Sequence, residues 1–540
     1  MIGRHARRQA TVLLAGTIMM TTMGAAIASG QVRTTSGLLA GTTADDGRVR
    51  VFKGVPYAAP PVGPLRWKAP QPPAAWTGVR KADAFGAQCM QGPLFDDIVF
   101  DRPPSEDCLY LNLWTPAAEA SAKLPVMVWI HGGGYQVGAS HEPRHDGVPL
   151  ARRGVVLVTI NYRLGVFGFF SHPALSREDP RGSSGNYALQ DMVAALQWVR
   201  DNVAAFGGDP GNVTIFGESA GSFAVSTLMA VPSARGLFHK VIGESGAPFG
   251  ASLTLASRDV AEANGEKFGG SLGATTAEAL RALDAGAVLK AAATWQPWFV
   301  TTVDGVVVPE PVATAFAAGR QAQVPLLAGW NADESRSSVT LGPTRPTAAS
   351  FAETTRKQFG PAADALLQAY PAASDAEALE SAAALASDLF IGYGTWKWIE
   401  AHRATGNAPV YRYLFSRKIP VAPGQVRNGK PVTAEDIGAR HAGEIEYVFG
   451  TLDTVKGVTW TAADRALSDR IGAYWTNFAR RGDPNGPGLP EWPRLGPLAA
   501  GTAPAPQQIL QLDTTTSAVP EPARIRYEIL DRLMAAVAPR

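Results

Sequence analysis

A serine becomes an acyl-transfer nucleophile when a base takes its proton, a carboxylate orients that base and donors hold the oxyanion that forms. Gly217-Glu218-Ser219-Ala220-Gly221 offers such a serine. The apolar run Val213-Thr214-Ile215-Phe216 precedes it, and the small and apolar residues from Ser222 to Ala230, which read as a buried helix, follow it. A G-x-S-x-G string between strand and helix is the sequence of a nucleophile elbow, in which flanking glycines relieve crowding around a strained serine. A glycine-rich turn with an incidental serine has the same local composition, so the partners must decide.

In elbow architectures the acid and then the histidine follow the serine along the chain. Of the eight histidines, only His402 and His441 lie well beyond Ser219 and any plausible acid. His402, in Trp398-Ile399-Glu400-Ala401-His402-Arg403, reads as the solvated polar end of a helix. His441 sits in the glycine-bracketed loop Gly438-Ala439-Arg440-His441-Ala442-Gly443-Glu444, which suits a base. For the acid, Gly329-Trp330-Asn331-Ala332-Asp333-Glu334-Ser335 follows a strand, and spacing leaves Asp333 and Glu334 both open. Gly133 and Gly134 offer unobstructed backbone N–H groups after another strand, and the Ala220 N–H follows the nucleophile. Such oxyanion donors are each worth a factor of about 10² to 10³ in rate.

Elements able to position these groups are visible in the apolar patterning. Arg48–Phe52, 106–116, Val126–Ile130, Val155–Ile160, Val241–Gly246, Val324–Gly329 and Val410–Phe415 read as strands, the last of these as the final large one. Continuous apolar strands such as Val155-Val156-Leu157-Val158-Thr159-Ile160 imply helices on both faces. Asn186–Phe206 reads as a helix with Val193, Leu196, Val199 and Val203 on one stripe. Alternation of strands and helices predicts one α/β unit with a large, mostly parallel sheet and helical insertions near 340–405.

At the N-terminus, Arg4, Arg7 and Arg8, an apolar stretch from Ala10 to Met20 and Ala26-Ile27-Ala28 follow the order of a secretory signal, with cleavage after Ala28. The apolar run falls short of the roughly 20 residues that span a bilayer, so no stable membrane insertion is expected after cleavage. The expected organisation is a signal at 1–28 and one domain at 29–540, secreted or periplasmic. Without the three arginines of the signal, 46 basic and 47 acidic residues leave a formal charge of −1, which favours neither nucleic acid nor an anionic membrane as partner. Cys89 and Cys108, an even pair in an exported chain, predict a disulfide. The cysteine spacing does not suit a metal, no C-x-x-C, H-E-x-x-H or EF-hand string is expected in the chain, and no cofactor is expected.

Together these motifs resemble the type-B carboxylesterase and cholinesterase-like family of α/β-hydrolases. The resemblance is carried by Phe52-Lys53-Gly54-Val55-Pro56-Tyr57-Ala58, by EDCLYLNLWTP at 106–116, by FGGDPGNVTIFGESAG at 206–221, by GARHAGEIEYVFG at 438–450 and by YWTNFARRGDPN at 474–485. It implies an α/β-hydrolase fold and serine carboxylesterase activity through an acyl-enzyme on a small-molecule ester. Ser219 would be nucleophile, Glu334 acid, His441 base, and Gly133, Gly134 and Ala220 the oxyanion hole. It also implies the Cys89–Cys108 pairing and a Ser245 hydroxyl supporting the acid. Ser335 stands where the family commonly has glycine. The loop between the cysteines holds Phe95 and Phe100 but no Trp, so the cholinesterase platform for quaternary ammonium is not expected. Trp295, Trp298 and Phe299 resemble the acyl-pocket region and are candidate substrate walls. An amidase or lactonase could use the same triad. A non-catalytic binding module would be marked by loss of a triad member, and all three are present.

Overall fold

The computed structural model describes residues 30–537, apart from residues 100, 343–344, 428, 497 and 499–506. The segment expected to be a signal, and Phe100, lie outside the described residues. Eleven strands form the main sheet: β1 (Thr42–Thr43), β2 (Arg50–Pro56), β3 (Tyr110–Thr115), β4 (Leu124–Ile130), β5 (Val156–Ile160), β6 (Gly208–Glu218), β7 (Lys240–Glu244), β8 (Leu326–Asn331), β9 (Val410–Phe415), β10 (Gln508–Leu512) and β11 (Ser517–Pro520). Their spatial order is β1-β2-β3-β5-β4-β6-β7-β8-β9-β10-β11. From β5 through β10 every neighbouring pair is parallel. The other pairs, at both edges, are antiparallel.

Strand periodicity explains how one sheet carries two cores. Along β4, Val126, Val128 and Ile130 enter one apolar cluster, while Met127 and Trp129 enter the other with Phe216 and Ile242. Successive side chains alternate across a pleat, so a continuously apolar strand buries both faces. The first face is covered by α1 (Tyr187–Asn202) and α2 (Ala220–Leu228), the second by α5 (Ala462–Arg481). Between β8 and β9 lie the expected helical insertions, including α3 (Asp375–Ser387) and α4 (Tyr393–Thr405), joined by a π-helical turn at Asp388–Gly392. Val410–Phe415 is not the last large strand. β10 and β11 follow it, and β10 pairs with β9.

Cys89 and Cys108 are disulfide-bonded. Closing a loop with a sequence separation of 19 contributes about 3 kcal/mol through the unfolded state. It also tethers the segment that brings Phe95, Asp97 and Ile98 to the cavity lined by Ser219. No helix among the described residues is long and apolar enough to cross a membrane.

Candidate active site

Because the central strands are parallel, their carboxyl ends open at one edge of the sheet, where α/β folds place ligands. Ser219 stands at the end of β6 with φ 52° and ψ −122°, a conformation that costs of order 1–3 kcal/mol for a non-glycine residue. Two backbone bonds hold it: its N–H donates to the Glu244 carbonyl at 2.8 Å, and its carbonyl accepts from the Phe223 N–H at 2.9 Å as α2 begins. The glycines of the motif serve a close approach to β4. A Cβ on Gly217 would lie 2.6 Å, and one on Gly221 only 1.9 Å, from the Ile130 carbonyl oxygen. No side chain fits there, so the elbow motif also records how tightly α2 packs against the sheet.

The loop after β9 brings His441 to the serine. His441 Nε2 lies 2.9 Å from Ser219 Oγ, and Nδ1 lies 2.5 Å from Glu334 Oε2. Glu334 is buried, and its Oε1 accepts from the Ser245 hydroxyl at 2.5 Å and the Asn331 N–H at 2.7 Å. Asp333, the other candidate acid, does not reach the histidine. Its N–H donates to the Ala439 carbonyl at 3.0 Å and its Oδ2 accepts from the Ala439 N–H at 2.8 Å, which clips the histidine loop to β8. Asn331 Nδ2 donates to the Arg440 carbonyl at 2.8 Å and holds the same loop. His402 is not a solvated helix end. It is buried, with Nε2 at 2.9 Å from the Val324 carbonyl, because the polar end of α4 packs against the chain entering β8.

Gly133 and Gly134 have φ 101° and 62°, and no hydrogen bond donated by either N–H is found among the described residues. A Cβ on Gly133 would lie 2.1 Å from the Val137 carbonyl, so that position requires glycine. The loop is pinned by Gly165 N–H to the Tyr135 carbonyl at 2.7 Å and by the Tyr162 hydroxyl to the His131 carbonyl at 2.7 Å. Ala220 begins α2, and the first N–H of a helix has no intrahelical partner. Its dipole favours negative charge at this end.

Sequence reasoning missed a ring of buried carboxylates around the histidine. Glu218 Oε1 is 3.4 Å from His441 Nε2, Glu244 accepts the Trp475 indole N–H at 2.7 Å, and Glu444 accepts from Asn331 Nδ2 at 2.5 Å. Burial pushes Glu244 well above the usual carboxylate range and raises Glu218 as well, where the charge of His441 works against it and favours the carboxylate. Glu444 is raised to about 7, by burial first and then by the charge of Glu334. Burial opposes a charge on His441, but the Glu218 and Glu334 carboxylates outweigh it and lift the imidazole to about 10. Glu218 and Glu444 both lie inside the elbow and histidine motifs, so acidic residues within apolar motif context were the available signal.

A pH profile tests this electrostatic arrangement. A base must be neutral to accept a proton, so a raised imidazole displaces the acid limb of kcat/KM upward from the ordinary histidine range. Glu218→Gln removes a negative neighbour, lowers the imidazole pKa and is expected to move the limb to lower pH by on the order of one unit. A limb left in place would mean that Glu218 is protonated across the whole range and exerts no such field.

The serine opens into a cavity of about 710 Å³ lined by Phe95, Ile98, Trp298, Arg336, Phe390 and Arg440 among others. Of the three expected aromatic walls, only Trp298 borders it. Trp295 is turned inward, its indole N–H donating to Asn264 Oδ1 at 3.0 Å and its ring packing on Phe268. Phe299 is buried between Phe170 and Phe268. Consecutive aromatic residues in a turn face opposite ways, and the core claims two of these three.

His141-Glu142-Pro143-Arg144-His145 does spell H-E-x-x-H, contrary to the expectation from sequence. Zinc binding by that string needs both histidines on one face of a helix. Here Pro143–His145 is a 3₁₀ turn, His141 bonds Asp101 at 2.9 Å and His145 bonds the Ala139 carbonyl at 3.0 Å. No group of three or more His, Cys, Asp or Glu able to hold a metal ion is found among the described residues.

The family model described as the carboxylesterase family matches residues 28–528. The fumonisin B1 esterase of Sphingopyxis macrogoltabida is 38% identical over 467 residues, covering 83% of this chain and 82% of its own. The para-nitrobenzyl esterase of Bacillus subtilis is 36% identical over 477 residues, covering 86% of this chain and 92% of its own. Among solved structures, a PNB esterase superposes with a TM-score of 0.75 at 34% identity, covering 93% of this chain and 100% of that one. A Geobacillus stearothermophilus carboxylesterase gives a TM-score of 0.77 at 34% identity, with 92% and 99% coverage.

Proposed function

The chain belongs to the carboxylesterase family and is a carboxylic ester hydrolase with an α/β-hydrolase fold, and from that premise we propose that it cleaves esters through an acyl-enzyme on Ser219. His441 takes the hydroxyl proton through Nε2 as Ser219 Oγ attacks the ester carbonyl carbon. The carbonyl oxygen becomes an oxyanion held by the N–H groups of Gly133, Gly134 and Ala220. As the tetrahedral intermediate collapses, His441 returns the proton to the departing alkoxide. Water, deprotonated by the same nitrogen, then attacks the acyl-enzyme and releases the acid.

Glu334 keeps the imidazole in the tautomer whose Nε2 is free to accept, and Ser245 and Asn331 hold the Glu334 carboxyl in place, as outer partners of a catalytic group do. The observation that carries this reading is the continuous relay from Ser219 Oγ through His441 to Glu334, with steps of 2.9 and 2.5 Å. An organophosphate is expected to inactivate the protein at one equivalent, with the adduct on the peptide containing Ser219 by mass spectrometry. An adduct on any other residue would overturn the nucleophile assignment.

Export belongs to the same reading. Its supports are the N-terminal charge and hydropathy pattern and the disulfide, which persists in oxidising compartments.

A further inference from the structure

Six carboxyl groups border the cavity that holds Ser219, and each has a partner within the fold. Glu218 and Glu334 face His441, and Asp333 accepts the Ala439 N–H. Asp97 pairs with Arg144 at 3.1 Å and Glu435 with Lys418 at 2.7 Å. Asp436 accepts the N–H and the hydroxyl of Thr433 at 2.9 and 2.7 Å. Two arginines bordering the same cavity differ. Among the described residues, neither the Arg336 nor the Arg440 guanidinium has an ion pair within 4 Å or a hydrogen bond. Arg440 acts on Asp97 and Glu446 only at longer range.

The fold sets both arginines beside the relay. Arg440 directly precedes His441, and Arg336 follows Glu334 by two residues. Their loops leave the neighbouring parallel strands β8 and β9 and are clipped together, with Asp333 and Arg440 bridged and Asn331 Nδ2 donating to the Arg440 carbonyl at 2.8 Å. Ser387 Oγ accepts the Ser335 N–H at 2.9 Å and fixes the backbone ahead of Arg336. Arg440 is half-buried and Arg336 exposed. A guanidinium without a protein partner keeps its N–H donors available, in a planar fork that matches the two oxygens of a carboxylate. The fold makes no ion pair with either charge, whereas an anionic group in the cavity would use both.

We propose that Arg336 and Arg440 form an anion subsite, and that the preferred substrates are esters carrying a free carboxylate on the acyl or the alcohol side. This deepens the assignment of Ser219 as nucleophile and rests on it. The ester carbonyl lies at Ser219 while the second carboxylate reaches the two loops that carry the acid and the base.

The test uses the full chain and pairs of esters matched in size, one bearing a distal carboxylate and the other the neutral primary amide. One set places that group on the acyl side, as monophenyl adipate against its amide, and the other places it on the alcohol side of an acetate. In at least one set the carboxylate-to-amide ratio of kcat/KM is expected to be about ten or more, the strength of a hydrogen bond to a charged group. Arg440→Gln is expected to reduce that ratio about tenfold. Arg336→Gln, at an exposed position where water screens the pair, is expected to reduce it about two- to fivefold. Arg440→Lys keeps the charge and is expected to retain part of the preference. The exposed Arg336 provides the reading should Arg440→Gln fail to fold. A ratio of one or below in both sets, or a preference that survives both glutamine variants, would overturn the subsite. Turnover of the amide esters surviving in Ser219→Ala would instead overturn the nucleophile, a separate outcome because the charge ratio does not measure it.

Discussion

Ser219→Ala is expected to lower kcat/KM towards any ester the wild-type chain hydrolyses by about 10⁵-fold or more, the scale seen when a serine nucleophile is removed from a triad. The substitution deletes one oxygen and keeps Cβ. The backbone bonds that hold the elbow, Ser219 N–H to Glu244 and Phe223 N–H to Ser219, survive it. Folding and binding of substrate-like inhibitors are therefore expected to persist while covalent labelling disappears. Burst kinetics with a chromogenic ester would measure both at once. Turnover near the wild-type level would exclude Ser219 from the reaction, because among the described residues no other hydroxyl is in hydrogen-bond contact with His441 Nε2.

Glu334→Gln is expected to reduce kcat about 10⁴-fold with a much smaller change in KM, by the tautomer argument that applies when a triad carboxylate is made neutral. A glutamine fills the same buried volume, and its oxygen can still accept from Ser245 and Asn331. What changes is the atom facing His441 Nδ1. An amide N–H there favours an imidazole that accepts at Nδ1 and carries its proton on Nε2, where it can no longer take one from Ser219. Asp333→Asn is the informative contrast, because Asp333 clips the Ala439 backbone and is not in hydrogen-bond contact with the imidazole. Its effect should be far smaller and should fall on stability of the histidine loop. Equal losses in the two variants would remove the distinction between an acid and a structural clip.

Burial of the relay is what gives these substitutions their size. Glu334 has little contact with solvent, and the carboxylates of Glu218, Glu244 and Glu444 lie in the same dry region. Electrostatic interactions are stronger there than in water, so loss of one partner is felt by the others. The Glu334 and Glu218 effects should not add, because both act on the one imidazole.

Much of this protein is readable along the chain because its signals are local. An apolar run of five or six residues between turn signals reads as a covered strand, and β4, β5 and β8 carry that pattern. The elbow, the glycine pair at Gly133 and Gly134 and the histidine loop follow such strands directly, so their position at the sheet's carboxyl edge comes with the strand assignment.

What the chain alone left open concerned neighbours in sequence whose fates depend on distant partners. Asp333 and Glu334 occupy the same loop, and only the approach of His441 and Ser245 separates an acid from a clip. Trp295, Trp298 and Phe299 have similar hydropathy, and only packing against Phe170 and Phe268 sends two of them inward. His402 looked solvated because the chain that covers it is remote in sequence. Local hydropathy thus determined the strands, the motif order and the candidate chemistry of this chain. Tertiary structure decided which atom of each candidate meets the next, because a hydrogen bond depends on a distance set by residues hundreds of positions apart.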